Sequence, residues 1–238
     1  MVSLLFAITS LFYATVGQAG GTAFLSLMAF SGMPSTEMRP TALALNIVVA
    51  TYSTWLFNRN KVVDWIILRP LLLSSMPTAL AGGLIVLEEH IYKTLTGIAL
   101  LLASAVMIMR RGRAADRICE TPLRASMAIG AVLGLASGLT GVGGGVFLAP
   151  TLVALNWASP KQTAALSSPF ILANSTVGFL GALFTGQFPS SDLALYAISA
   201  LAGAVAGTVI GADSARCRPP FRNDLAHRSD LISPAIPR

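Results

Sequence analysis

The residues in this sequence that are best suited to chemistry are glycines clustered inside an apolar run. Five glycines lie between Gly138 and Gly145, and Pro150 follows them. Each glycine costs a helix about 1 kcal/mol relative to alanine, so the cluster predicts a break in the helix. A half-helix that begins just after Gly145 would point its free N–H groups and its positive dipole end into that break. Such an end attracts an anion without a charged side chain.

A looser copy of this cluster lies about 125 residues earlier in the chain. The segment 17–21 corresponds to 141–145, and a short turn with a proline follows in both copies, at Pro34 and Pro160. Duplicated halves with glycine interruptions at matching positions are typical of transporters whose site lies between the halves. The sequence therefore predicts two interrupted helices whose amide ends face each other in mid-bilayer and hold an anion.

Hydroxyl and amide side chains after the glycines are candidate donors to the same anion. Each could instead bond to its own or a neighbouring helix, and the glycines could simply allow close helix packing. Matched placement in the two copies favours Ser167 and Ser168. The full set of candidate substrate-binding residues is Gly17, Gln18, Gly20, Gly21, Thr41, Asn46, Gly141, Gly143, Gly144, Gly145, Pro150, Ser167, Ser168 and Asn174.

The composition predicts an all-α polytopic membrane protein. Of the 238 residues, 54% are hydrophobic and 11% are charged, whereas soluble domains carry about 25% charged residues. A membrane helix needs about 20 apolar residues. Seven apolar runs are evident, at about 3–30, 40–57, 66–87, 91–109, 123–156, 163–185 and 193–212. The first and fifth are too long for one simple helix, so we expect a break in each.

The net charge of +6 comes from arginine and lysine in short loops, which argues against nucleic-acid binding. The basic loops 58–65 and 110–122 are the positive-inside pattern. With every run counted as one crossing, the N-terminus lies inside and Glu88 and Glu89 lie outside. The same number of crossings puts the arginine-rich tail from Asp213 outside, which disagrees with the positive-inside pattern.

The chain divides into two tandem repeats of about four helices each. The first membrane repeat covers residues 1–110, a cytoplasmic basic linker 111–122, the second membrane repeat 123–212, and a polar tail, expected to be disordered, 213–238. The run 91–109 has no counterpart after the second repeat, so its last helix is missing. A shortened or frame-altered C-terminus would explain both this absence and the misplaced charges.

Ionisable side chains are nearly absent from the apolar runs. Arg69 and Lys93 lie near the margins, where they can reach the interface. His90 lies in a loop and His227 in the tail, so neither a metal site nor a Ser–His hydrolase can be assembled. We expect no enzymatic activity, no metal and no cofactor.

The glycine motif with Pro150, followed by Ala164-Ala165-Leu166-Ser167-Ser168 and repeated loosely over 17–46, resembles the TauE/SafE sulfite-exporter family. The resemblance covers about residues 5–212. It implies a permease of about eight helices for sulfite, sulfonates or related sulfur oxyanions, with its site at the glycines and the polar residues after them. The first copy departs from the pattern with Gln18-Ala19 in place of Val-Gly. The second has Ser167-Ser168 where the family tends to have Thr-Ser.

The sequence thus predicts a multi-pass permease of the bacterial inner membrane. Its expected partners are a small anionic substrate and the lipid bilayer, and it could form a homo-oligomer. The alternative is a non-transporting integral membrane subunit or a truncated, inactive permease, in which the glycines only pack helices.

Overall fold

The computed structural model describes residues 2–15, 18–109 and 121–216, and these residues form helices and short links without a strand. Most of the predicted linker and the tail beyond Arg216 lie outside the described residues, so the predictions for them stay predictions. The helices are α1 (Val2–Thr15), α2 (Gly21–Phe30), α3 (Ser35–Arg59), α4 (Trp65–Leu84), α5 (Glu89–Met109), α6 (Leu123–Thr140), α7 (Gly145–Ala154), α8 (Pro160–Phe184) and α9 (Leu193–Arg216).

Local signals explain where several helices begin. At α8 the Ser159 side chain accepts from the N–H of Gln162, whose own side chain accepts from the N–H of Ser159, which is a capping box. At α4 the Asp64 carboxylate accepts from the N–H of Ile66 at 3.0 Å. α9 extends to Arg216, so its last four residues overlap the segment 213–238 that is predicted to be a polar tail, and the disorder of that tail stays a prediction.

Among the described residues, five helices are long and apolar enough to cross a membrane. They are Ser35–Arg59, Trp65–Leu84, Leu123–Thr140, Gln162–Phe184 and Leu193–Ile210. The predicted run 3–30 is divided between α1 and α2, of 14 and 10 residues, and α7 has only 10. At 1.5 Å per residue these three helices are about 15–21 Å long, which is less than the hydrocarbon thickness of about 30 Å. The expectation of seven spans is not confirmed.

Close backbone contacts fix the directions of two helix pairs. A Cβ at Gly130 would lie 2.5 Å from the carbonyl oxygen of Leu71, and a Cβ at Gly138 would overlap the carbonyl oxygen of Ala79. Since the later glycine of α6 meets the later residue of α4, the two helices run parallel. In the same way Gly203 and Gly207 of α9 meet successive turns of α1, which runs parallel to α9. Small residues at a helical spacing let membrane helices approach this closely.

Replacing Gly134 with alanine is expected to loosen the α4–α6 pair. Its Cβ would overlap the carbonyl oxygen of Ser75, and overpacking of this kind costs about 1–3 kcal/mol. We expect a lower midpoint of thermal unfolding in detergent. Gly97→Ala in α5 is the control, because nothing lies within 4 Å of its added Cβ. Equal midpoints for the two variants would show that this contact does not hold the helices together.

The chain reverses direction between α1 and α2. The rings of Phe6 and Phe24 are 5.4 Å apart, centroid to centroid, and the hydroxyls of Tyr13 and Thr22 are 2.9 Å apart. If α2 continued in the direction of α1, Phe6 and Phe24 would lie more than about 20 Å apart. The two helices therefore form a hairpin, and we call residues 18–21 the first tip.

The chain reverses again between α6 and α7. Gly145, at the start of α7, faces Ile171 in the middle of α8, while the end of α7 connects to the start of α8 through residues 155–159. α7 is therefore antiparallel to α8. α6 is parallel to α8, because both run antiparallel to α3 and parallel to α4. α6 and α7 thus form a second hairpin, and we call residues 141–145 the second tip.

These reversals change the predicted arrangement of the chain ends. Thr41 contacts Ser190 and Tyr52 contacts Thr208, so α9 runs parallel to α3 and ends on the same side of the bundle as the basic link at Lys61. The end of α9, residues 213–216, therefore does not lie opposite the basic link, although the count of crossings had placed it there. That count took runs 3–30 and 123–156 as single crossings, whereas each folds back.

Candidate functional site

The two tips meet at Asn46, a buried residue in the middle of α3. A Cβ at Gly21 of the first tip would lie 2.5 Å from the Val142 carbonyl oxygen of the second tip and 2.6 Å from Asn46 Nδ2. A Cβ at Gly143 would lie 2.8 Å from Asn46 Nδ2 and 2.9 Å from Ser175 Oγ of α8. Any side chain at either glycine would fill this space, so glycine is what allows the two tips to approach.

Left-handed backbone conformations produce the second tip. Gly141, Gly143 and Gly144 have φ angles of +76°, +86° and +78°, which side chains rarely adopt. Gly144 is the N-cap of α7 and Gly20, at φ +90°, is the N-cap of α2, and neither cap has a side-chain hydrogen bond. Since the first N–H groups of a helix have no partner within it, both half-helices offer free donors at the tips.

Several buried polar atoms around the tips have no hydrogen-bond partner. They are the Asn46 Oδ1, Ser137 Oγ and Ser175 Oγ atoms. The Cβ of Ser137 lies 3.2 Å from the Cβ position of Gly144, and the Asn46 Nδ2 reaches the Gly141 carbonyl oxygen only at 3.4 Å. An unpaired buried polar group costs about 1–3 kcal/mol. A ligand that accepted from the two serine hydroxyls would recover that cost for them, whereas the Asn46 Oδ1 atom is an acceptor and would need a donor.

The structure brings eight of the fourteen predicted site residues together. Those at or beside the tips are Gln18, Gly20, Gly21, Asn46, Gly141, Gly143, Gly144 and Gly145. The N–H of Gln18 donates to the Tyr13 carbonyl oxygen at the end of α1. Ser167 borders this group, with its Cβ 3.7 Å from the Cβ position of Gly145, although its hydroxyl donates to the Thr163 carbonyl oxygen at 2.8 Å. Gly17 lies outside the described residues.

The remaining predicted residues have other surroundings. Thr41 Oγ1 accepts from the N–H of Ser190 at 2.9 Å, in the link before α9. Asn174 Nδ2 donates to the Phe170 carbonyl oxygen of its own helix at 2.9 Å. Pro150 is buried within α7 and Ser168 within α8.

The pairing of Asn46 with Asn174 does not follow the helices. α3 begins at Ser35 and α8 at Pro160, 125 positions later, and both contain 25 residues. At that offset Asn46 corresponds to Ile171, whose Cγ2 lies 3.0 Å from the Cβ position of Gly143. An amide from one half and an aliphatic side chain from the other therefore flank the second tip, and the site is asymmetric.

The sequence prediction missed one charged residue beside the site. Arg39 is only 1% exposed, and its guanidinium donates to the carbonyl oxygens of Ile85 at 2.8 Å and Gly82 at 2.6 Å. Arg39 lies one residue before the predicted run 40–57, so it was not weighed as a charge near the site. α3 begins at Ser35, directly after Pro34, and not at residue 40, so Arg39 falls within the helix. In Pro34-Ser35 the two residues stand in the reverse of the usual Ser-Pro order at a helix start, so no local signal showed this.

Comparisons with known proteins agree with the membrane character of the fold. A family model described as "Sulfite exporter TauE/SafE" matches residues 2–221. The "Probable membrane transporter protein y4hK" of Sinorhizobium fredii (strain NBRC 101917 / NGR234) is 36% identical over 214 residues, which cover 88% of this chain and 87% of that protein. No solved structure matches significantly. Together with the five long apolar helices, these matches indicate a multi-pass membrane protein.

Proposed function

Because the chain belongs to the sulfite exporter TauE/SafE family, we propose that it is a permease that carries a small sulfur oxyanion, such as sulfite or a sulfonate, through a site where the two tips meet. The observation that carries this proposal is the convergence of two uncapped half-helix N-termini on the same buried residue, Asn46. Binding and transfer of the ion, without covalent chemistry, are what these groups can perform.

The donors at the tips support an oxyanion as the substrate. Backbone N–H groups of α2 and α7 and the hydroxyls of Ser137 and Ser175 surround the meeting point, and each can donate to an oxygen. Sulfite and sulfonates present three oxygens on one sulfur, which suits several donors from different directions. Helix N-termini add an electrostatic attraction for negative charge.

The directions of the helices support an architecture of two inverted repeats, α1–α5 and α6–α9. α2 and α7 each have 10 residues, and α3 and α8 each have 25. α1 runs toward the Lys61 side, whereas α6 runs away from it, so the second repeat is the first turned over. Inverted repeats with interrupted helices at their interface are typical of alternating-access carriers.

A flux assay tests the proposal. Purified protein in liposomes is expected to accumulate sulfite or sulfoacetate above the background of protein-free vesicles, and the same anions are expected to raise its midpoint of thermal unfolding. If correctly inserted protein neither moves nor binds sulfite, sulfoacetate or thiosulfate, the proposal fails. In that case a non-transporting membrane subunit becomes the better description.

Replacing Ser175 with alanine is expected to weaken anion binding without destabilising the empty protein. The Ser175 hydroxyl has no partner, so its removal breaks no hydrogen bond within the protein. A hydrogen bond to a charged group is worth about 1.5–3 kcal/mol, so we expect the dissociation constant to rise about tenfold or more. Sulfite protection against thermal unfolding measures this change.

Thr176→Ala is the matched control on the same helix. Its hydroxyl is exposed and donates to the Leu172 carbonyl oxygen, away from the tips. We expect wild-type affinity from this variant. If Ser175→Ala binds sulfite as tightly as Thr176→Ala does, Ser175 is not part of the site.

A further inference from the structure

Arg39 is a buried cation without an acidic partner. The one ion pair among the described residues joins the exposed side chains of Lys93 and Glu89, and the electrostatic neighbour of Arg39 is the neutral phenol of Tyr92. The Nε of Arg39 is buried and has no hydrogen-bond partner. Since a guanidinium keeps its charge in proteins, the interior of this bundle carries an unbalanced positive charge.

That charge lies next to the second tip. Arg39 and Asn46 are seven residues apart on α3 and so project from the same face, about 10 Å apart along its axis. Gly141 lies between them, because its carbonyl oxygen accepts from Asn46 and its Cβ position is 3.1 Å from Arg39 Cγ. The Arg39 side chain therefore passes the second tip, and we take the axial separation from Asn46, about 10 Å, as the scale of the distance between its charge and the place where the tips meet.

A purely structural role is the competing explanation for Arg39. Its bonds to the carbonyl oxygens of Gly82 and Ile85 cap the C-terminal end of α4, where a positive charge is favourable. Carbonyl dipoles amount to only about half a charge, however, and a buried ion that lacks a full counter-charge is costly. The cap accounts for the two hydrogen bonds but does not balance the charge.

We propose that Arg39 is the counter-charge of the bound anion and that it sets how strongly the site discriminates between anions of different charge. This inference rests on the proposed function, because it requires an anion at the tips. Coulomb attraction over about 10 Å at an effective dielectric constant of about 20 changes affinity by roughly tenfold for each unit of ligand charge. Removing the guanidinium therefore lowers the affinity for a monoanion by some factor and the affinity for a dianion by about the square of that factor.

Two sulfonates of different charge provide the test. Dissociation constants for methanesulfonate, a monoanion, and sulfoacetate, a dianion, are measured on the wild-type protein and on Arg39→Gln. We expect a loss of about tenfold for methanesulfonate and about a hundredfold for sulfoacetate. Equal losses for both ligands would overturn the proposal, because a damaged cap weakens the site without regard to ligand charge. Arg69→Gln, at an exposed position on α4, controls for the removal of any arginine.

The Arg39→Lys variant distinguishes the effect of the positive charge from the effect of the cap on α4. It tests the inference even if Arg39→Gln does not fold. Lysine keeps the positive charge but cannot reproduce the two guanidinium bonds. We expect it to retain affinity for both sulfonates within about threefold, with a lower midpoint of thermal unfolding. If Arg39→Lys loses affinity for both sulfonates, this inference is overturned, but the proposed function is not. Absence of binding by the wild-type protein would instead overturn the proposed function, and this inference with it.

Discussion

Replacing Gly143 with alanine is expected to abolish anion flux while the protein still inserts into the membrane. The new methyl group would lie 2.8 Å from Asn46 Nδ2 and 2.9 Å from Ser175 Oγ, in the space that we assign to the anion. To bind, the anion would have to displace this methyl group and its neighbours, and a displacement cost of about 1–3 kcal/mol, the size of an overpacking cost, lowers affinity by up to about a hundredfold. Sulfite uptake into liposomes, normalised to the amount of inserted protein, measures the loss.

Gly186→Ala is the matched control for backbone strain. Gly186 has a φ angle of +76°, close to the +86° of Gly143, but nothing lies within 4 Å of its added Cβ. Both variants therefore carry the cost of a left-handed alanine, about 1–2 kcal/mol. Only Gly143→Ala is expected to lose flux. Equal flux from the two variants would mean that the second tip is not where the anion binds.

Cysteine labelling is expected to place both ends of the first hairpin on one side of the membrane. In a chain whose Cys119 and Cys217 are replaced with serine, Ser3→Cys and Ser31→Cys should react with an impermeant maleimide from the same side as Glu88→Cys. The reason is the reversal between α1 and α2, which the contact of Phe6 with Phe24 requires. The effect is all or none, because a single crossing of residues 3–30 would put Ser3 and Ser31 on opposite sides.

The second hairpin gives the mirror-image result. Thr121→Cys, before α6, and Leu155→Cys, after α7, should both react from the side on which Asn60→Cys reacts. Intact spheroplasts and inverted vesicles present the two sides separately, and the two reference positions control for orientation. If either pair reacts from opposite sides, that hairpin does not exist and the inverted-repeat arrangement fails.

The breaks in the helices could be predicted from the sequence, but the reversals could not. Glycine has a known cost in a helix, so the segments 17–21 and 141–145 predicted interruptions, and α7 begins at Gly145 as expected. Whether the chain continues or folds back after a break depends on packing against distant helices. Two tertiary contacts show the reversals: Phe6 packs against Phe24, and Gly145 lies against Ile171. Neither contact can be recognised from the local sequence.

The family and the glycines of the site were also predictable, whereas most of its polar residues were not. The motif resemblance to the TauE/SafE family is confirmed by the match over residues 2–221. Thr41 and Asn174 were chosen for their place after the glycines in the two copies; Thr41 Oγ1 is bonded to Ser190 and Asn174 Nδ2 to Phe170, while Asn174 Oδ1 is buried without a partner. Ser137 on α6 was not chosen at all. Which face of a helix meets a tip depends on helix rotation, and apolar runs without a polar stripe do not encode it.

The most direct test of anion binding at the tips is a crystal structure of the protein with selenite, the selenium analogue of sulfite. Anomalous scattering from selenium locates the ion without reference to the protein density. We expect a single strong peak bounded by Asn46, Gly143 and Ser175, with the N–H groups at the starts of α2 and α7 directed at it. A peak elsewhere in the bundle, or continuous helix through both glycine segments, would contradict the assignment of the site.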